Sequence, residues 1–257
     1  MKNLEVVFTP EEIKDRRLTD KLIVVIDVLR ASSTIVTALS NGCIGFIPIF
    51  SPELAEKKAH EFSKEKVLLG GERKGKKIRG FNLGNSPREY QREMVEGKMI
   101  IFSTTNGVKT LEMVKEASQI IIGSFLNLQA TSDYCSNFPG DVILVCAGRE
   151  GGFSLEDSVC AGMLINSLRG VSLHPSREMD SNITAQALYE KFGNNILKLL
   201  QKCYHGRYLE SIGLRKDLEF CSQTNLFSIV PVFKDGIISV SYTHLRAHET
   251  PEHLVCR

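Results

Sequence analysis

Ile23-Val24-Val25-Ile26-Asp27-Val28-Leu29-Arg30-Ala31-Ser32-Ser33-Thr34 is the stretch on which the reading of this chain turns. The apolar run over residues 21–29 is continuous rather than alternating, as in a strand covered on both faces. A helical stretch over residues 34–39 follows, and Asn41-Gly42 ends it. A strand that carries Asp27 to its C-terminal end presents a carboxylate to a hard cation. The hydroxyl-rich helix start beyond it offers free N–H groups to an anion. Arg30 adds a planar fork that matches phosphate or sulfonate oxygens. The same residues also fit a buried strand end with Asp27 and Ser32 as helix caps, and the segment alone leaves both readings open.

Working outward, the same alternation repeats. Strands are expected at residues 4–8, 45–50, 66–69, 99–103, 120–123, 141–147 and 229–233. Helices are expected at 51–63, 88–96, 108–116, 127–136, 155–168, 184–203 and 208–212, with an extended stretch at 216–221. Residues 70–87 read as a long polar loop whose five glycines favour close backbone approach to a ligand. Strand–helix alternation predicts an α/β protein with mostly parallel strands, in which ligands gather outside the carboxyl ends of the strands.

The whole-chain numbers exclude several classes. A formal net charge of +2 over 257 residues argues against a nucleic-acid binder that depends on a strong basic field. The longest apolar runs are strand-sized, so no membrane span is expected, and the first residues lack the apolar core of a signal peptide. Seven scattered cysteines with no CxxC pair fit a reducing cytoplasm, with Cys146 and Cys160 as small buried hydrophobes. Phe233-Lys234-Asp235-Gly236 reads as a natural end. Residues 239–257 are read as a foreign, disordered tail like a translated sequencing adapter, so His244, His248 and His253 are left out of the site.

Four strand exits carry the same chemistry. They are Asp27 to Ser33, Gly70-Gly71-Glu72-Arg73 continuing to Asn85-Ser86-Pro87, Thr104-Thr105-Asn106-Gly107, and Gly148-Arg149-Glu150 with Glu156-Asp157. Each has a plain structural reading: N-caps at Thr104 and Asn85, acids favouring a helix dipole at Glu156 and Asp157, an exposed turn at Arg149-Glu150. The run Arg73-Lys74-Gly75-Lys76-Lys77-Ile78-Arg79 is a solvated face or a means of steering anions. His205-Gly206-Arg207 is a cation pair at a helix exit, or else His205 is a general acid or oxyanion ligand. No Walker loop and no Gly-x-Ser-x-Gly elbow occurs. Carboxylates converging with arginines point to Mg²⁺, which takes one or two carboxylates plus substrate oxygens and water.

Asp27-Val28-Leu29-Arg30-Ala31-Ser32-Ser33-Thr34, Gly80-Phe81-Asn82-Leu83-Gly84-Asn85-Ser86-Pro87, Thr104-Thr105-Asn106-Gly107 and Phe153-Ser154-Leu155-Glu156-Asp157 resemble the 2-phosphosulfolactate phosphatase family. The likeness extends over residues 2–238. It implies a three-layer α/β/α fold with a mostly parallel or mixed sheet and two related halves, here residues 1–120 and 121–238. It implies a Mg²⁺-dependent phosphatase that converts (2R)-2-phospho-3-sulfolactate to 3-sulfolactate and phosphate, on a route to sulfolactate or coenzyme M. The partner is then a small anionic phosphosulfonate, with a homodimer possible and neither nucleic acid nor membrane involved. Asp27 and Asp157, with Glu156, are the expected Mg²⁺ ligands. Glu72 or Glu150 would assist as ligand or base and His205 as acid. Arg30, Ser32, Ser33, Asn85, Ser86, Thr104, Thr105, Asn106, Gly107, Arg149 and Arg207 are expected to bind the anionic groups. Asn82 departs from the family pattern, where an Asp is expected, and so keeps open a non-catalytic anion-binding module of the same fold. A haloacid-dehalogenase mechanism needs a second Asp where Leu29 stands.

Overall fold

The apolar run around Val24 forms strand β2 (Lys21–Ile26), and helix α1 (Ala31–Ser40) starts just beyond it in the computed structural model, which describes residues 2–168 and 179–240. The other strands are β1 (Leu4–Val7), β3 (Gly45–Pro48), β4 (Val67–Arg73), β5 (Lys76–Lys77), β6 (Met99–Ser103), β7 (Gln119–Gly123), β8 (Asp141–Cys146), β9 (Pro231–Lys234) and β10 (Ile237–Val240). The other helices are α2 (Pro52–Ala59), α3 (Arg92–Val95), α4 (Gly107–Val114), α5 (Leu128–Asn137), α6 (Leu155–Ser167), α7 (Asp180–Phe192), α8 (Ile196–Lys202), α9 (Tyr204–Ser211) and α10 (Arg215–Cys221).

The strands join in one ten-stranded sheet of order β1-β8-β2-β7-β9-β10-β3-β6-β4-β5. Two parallel groups, β1-β8-β2-β7 and β3-β6-β4, are linked by the antiparallel hairpin β9–β10. Ile120 pairs with Phe233 on one side of that hairpin, and Ile238 pairs with Phe46 on the other. Three successive antiparallel pairings make the two parallel groups run in opposite directions.

Period-2 alternation sorts each strand between two faces. Val24 and Ile26 of β2 and Leu144 of β8 pack with Val159 of α6, Ala185 of α7 and Leu199 of α8. Ile23 and Val25 turn the other way, into a cluster with Ile35 of α1, Leu111 of α4, and Phe46, Ile100 and Phe102 of the second strand group. Ile101 and Val67 face out to Ala55 of α2. Helices therefore cover both faces of a mixed sheet, giving a three-layer α/β arrangement. Both strand groups share one apolar cluster, so the sheet curls around α1, whose residues Ala31–Leu39 are all buried. A helix so covered must satisfy its hydroxyls internally. Ser33 Oγ donates to the Val28 carbonyl and Thr37 Oγ1 to that of Ser33.

Several elements differ from the sequence expectation. Residues 184–203 form two helices rather than one, because the chain breaks after Phe192 and Asn195 caps a new start by accepting from Lys198 N at 2.9 Å. Residues 216–221 are helical, not extended: Leu218 and Cys221 are buried one turn apart. The expected loop at 70–87 opens as a hairpin, with β4 turning into β5 through Lys74 and Gly75 at φ 50° and 72°. Residues 88–96 hold only a short 3₁₀ turn and the single-turn α3. Asp235 and Gly236, both at positive φ, are the turn of the β9–β10 hairpin and not an end. Ser239 and Val240 belong to β10, while the rest of the expected tail, with its three histidines, lies outside the described residues. Among the described residues no helix is long and apolar enough to cross a membrane.

Candidate active site

The segments that leave β2, β4, β6 and β8 meet around one cavity of about 540 Å³, closed on a further side by His205 and Tyr208 of α9. Curling of the sheet makes this possible: oppositely directed strand groups bring their carboxyl ends to a common centre.

Asp27 stands at its floor, with 6% of its surface exposed. Its Oδ1 accepts from Ala31 N at 3.3 Å. A Cβ built on Gly107 would stand 3.2 Å from Asp27 Oδ2 and 3.5 Å from Thr104 Oγ1, so both oxygens border the start of α4. Burial pushes the Asp27 carboxyl up to about 6; nearby Glu72 and Glu156 add to the rise, while His205 and the Ala31 N–H oppose it.

Glu72, at the end of β4, organises two walls. Its Oε1 accepts from Thr105 N and Oγ1 at 3.3 and 3.2 Å, and its Oε2 accepts from Gly75 N at 2.7 Å. Across the cavity His205 Nδ1 lies 3.6 Å from Glu156 Oε1, which is buried behind it. Burial alone would raise the Glu156 carboxyl, but the His205 hydrogen bond and charge outweigh it and hold that group below its ordinary value. His205 lies in the first turn of α9, not at a helix exit. With Nδ1 turned to a carboxylate, Nε2 is left for the cavity.

Arg149 is held by ring faces more than by acids. Its guanidinium carbon is 4.1 Å from the Tyr204 ring centre and 5.8 Å from that of Tyr208, while Glu150 Oε1 is 3.8 Å from Nη2. Its donors therefore stay available to an anion. Arg30, only 3% exposed, lines the cavity with part of its fork engaged: Nη1 donates to Asp217 Oδ2 and Nη2 to Gly75 O, both at 2.7 Å. Two buried oxygens on the wall, Asn85 Oδ1 and Thr104 Oγ1, have no hydrogen-bond partner among the described residues. Facing the cavity, both can be completed by a water or by a ligand's polar atoms.

Residues 7–236 match the sequence model of the 2-phosphosulpholactate phosphatase family. The chain belongs to that family. It is 41% identical over 93% of its length to 98% of the probable 2-phosphosulfolactate phosphatase of Caldanaerobacter subterraneus subsp. tengcongensis. It is 42% identical over 91% of its length to 95% of the one from Clostridium perfringens, and 44% identical over 83% of its length to 89% of the one from Thermotoga petrophila.

In this member of the 2-phosphosulfolactate phosphatase family, the cavity gathers Asp27, Arg30, Glu72, Asn85, Thr104, Thr105, Asn106, Arg149, Glu150 and His205 from the residues the sequence singles out. Others lie behind its walls. Ser32 Oγ accepts from Asp27 N, Ser33 Oγ donates to Val28 O in the segment before α1, and Ser86 Oγ donates to Asp217 Oδ1. Gly107 borders a small apolar gap beneath Asp27. Asp157 accepts from Val28 N and Gly148 N; burial, then Glu156 and Asp27, hold its carboxyl well above the ordinary range. Arg207 donates to Lys202 O on the exposed side of α9, away from the cavity. Asn82 also lies elsewhere: its Oδ1 accepts from Leu69 N at 2.8 Å beside a separate hollow lined by Glu56, His60 and Lys64.

Sequence reading missed Tyr208 and Asp217, and it read Lys74 only as part of a basic run. Tyr208 Oη donates to Lys74 O at 2.9 Å and so fixes the β4–β5 turn over the cavity.

The donor set suits Mg²⁺. Oxygen donors from Asp27, Glu72, Asn85 and Thr104 line the cavity and no thiol does. Among the described residues no three His, Cys, Asp or Glu side chains converge as a metal cluster, so a three-carboxylate cage of Asp27, Glu156 and Asp157 does not form. A cation that keeps its waters and takes substrate oxygens needs fewer protein ligands, and Asp27 is the carboxylate best placed to serve.

Proposed function

We propose that this chain is a Mg²⁺-dependent phosphatase that hydrolyses (2R)-2-phospho-3-sulfolactate to 3-sulfolactate and phosphate in the cytoplasm. The observation that carries the reading is the cavity where Asp27, Arg149 and the His205–Glu156 pair meet two oxygens unpartnered among the described residues, Thr104 Oγ1 before α4 and Asn85 Oδ1 in the loop opposite. The six cysteines among the described residues are all free and buried, which supports a reducing compartment.

The substrate is a small polyanion, and the walls match it in kind. Thr104 and the N–H groups at the start of α4 cradle the phosphate, while Thr105, whose N–H and hydroxyl donate to Glu72, shapes the wall beside them. Arg149, oriented by two tyrosine rings, and the remaining donors of Arg30 hold the outlying anionic groups. Bound Mg²⁺, with Asp27 as its protein ligand, supplies neutralisation of phosphate charge. Water attacks phosphorus as the bond from phosphorus to the C2 oxygen breaks. His205, oriented by Glu156, gives its proton to that departing oxygen. One proton of the attacking water stays on the hydrogen phosphate and the other restores His205.

The non-catalytic reading drew on Asn82 alone, and Asn82 faces away from the cavity. Purified protein given phosphosulfolactate and Mg²⁺ is expected to release phosphate with saturation, to stop on chelation by EDTA and to recover when Mg²⁺ is returned. Phosphate no higher than in a protein-free control sinks the catalytic reading. Release that persists in EDTA sinks its Mg²⁺ part.

A further inference from the structure

Asp217 does not border the cavity, yet each of its side-chain bonds ends on a residue that does or on that residue's neighbour. It sits in α10 and is 1% exposed. Its Oδ2 accepts from Arg30 Nη1 and its Oδ1 from Ser86 Oγ, both at 2.7 Å. Arg30 in turn donates through Nη2 to Gly75 O, in the turn that carries Lys74 over the cavity. Ser86 follows Asn85, whose unpartnered Oδ1 faces the same space. One carboxylate thereby ties together the segment after β2, the β4–β5 turn and the Asn85 loop.

We infer that Asp217 is a positioning residue for anion binding, acting through Arg30. A buried ion pair is weak evidence of stabilisation, since desolvation of both charges offsets much of their attraction. Geometry is what such a pair does supply. With one nitrogen of the Arg30 fork fixed by Asp217 and another by Gly75 O, the plane of the guanidinium is set, and its remaining N–H groups present a fixed edge to the cavity. This inference rests on the phosphatase reading for its kinetic readout but not for its binding readout.

The test uses Asp217→Asn, which keeps the shape, accepts from Arg30 through its one oxygen, turns its amide N–H to Ser86 Oγ and loses the charge. Kinetics on phosphosulfolactate with Mg²⁺ are paired with competitive binding of inorganic phosphate, each corrected for folded fraction by thermal melting. The variant is expected to lose about a hundredfold in kcat/KM, mostly in KM, and to weaken phosphate binding by about tenfold. In an Arg30→Ala background the same change is expected to alter kcat/KM by less than about threefold, because the residue through which it acts is gone. Normal KM and phosphate affinity in the folded variant, or full additivity with Arg30→Ala, overturns the inference and leaves the phosphatase reading standing. If the parent protein has no turnover but binds phosphate in an Asp217-dependent way, the phosphatase reading fails and the inference stands. A parent that neither turns over nor binds phosphate overturns both. Should Asp217→Asn not fold, Ser86→Ala decides. It removes the second anchor of the Asp217 carboxylate, so Arg30 is held less rigidly, and is expected to raise KM about threefold; no change overturns the inference.

Discussion

At the residue scale, Asp27 carries opposing demands of stability and chemistry. Its folded pKa of about 6 lies above the ordinary 3.8, so the neutral form is the one the fold favours. Stability from this group is fully present below 3.8 and is lost as pH rises through about 6. Asp27→Asn is therefore expected to abolish turnover and to raise stability at pH 8 by on the order of 1–3 kcal/mol, with no gain at pH 3.5. Urea titrations of parent and variant at both pH values measure this, and a loss of stability at pH 8 would refute it. The Ala31 N–H bond survives the change, since the Asn oxygen can accept it. Asp27 was legible in the sequence because a strand end is a local signal. Asp217 was not, because its partner Arg30 is 187 positions away and no local pattern reports such a pair. Arg207 shows the opposite failing: it stands two positions from His205, and on a helix at about 100° per residue the two point to nearly opposite sides.

At the element scale, the site depends on how α9 is seated. Gly206 lies one residue after His205, and a Cβ there would overlap the Leu200 carbonyl oxygen of α8 and come 2.9 Å from Leu218 Cδ2 of α10. Only a glycine lets these three helices approach so closely, with Cys203 Sγ accepting from Gly206 N at 3.2 Å to cap the turn. Gly206→Ala forces α9 outward. The expected loss is about 2 kcal/mol, or roughly 4–8 °C in Tm, with a fall in kcat as His205 leaves Glu156. Calorimetry and steady-state kinetics on the same preparation check both, and an unchanged Tm would show that α9 has room that the contacts deny. The long strands β2 and β8 were readable from their continuous apolar runs. Helix α10 was not: Arg215-Lys216-Asp217-Leu218-Glu219-Phe220-Cys221 offers one buried turn, and one of its three buried residues is an acid, which departs from the usual pattern.

At the scale of the whole molecule, the β9–β10 hairpin joins two parallel strand groups that otherwise do not pair. β7 bonds to β9 and β3 bonds to β10, so every strand-to-strand path across the sheet passes through a few residues of the hairpin. The cavity lies where the two groups' carboxyl ends converge, and its geometry is inherited from that junction. The sequence hid the hairpin because β10 is four residues long, Ile237 is partly exposed, and the turn Asp235-Gly236 looks like a terminus. The parallel groups were legible, but the antiparallel link that reverses one against the other was not. Two truncations separate the reading as an end from the reading as a link. A chain stopped after Val240 keeps both hairpin strands and is expected to melt in one cooperative transition. A chain stopped after Lys234 loses Ile238, fully buried against Phe46, and uncouples the two groups. Burial of that side chain alone is worth about 2 kcal/mol, and the lost pairing with β3 and β9 adds to it. The shorter chain is expected to show a broadened or two-step calorimetric transition and to lose phosphate binding, because Asp27 and Arg149 belong to one group and Thr104 and Glu72 to the other. A single sharp transition with full phosphate affinity in that shorter chain would mean that the shared apolar cluster around α1 holds the halves in register without the hairpin.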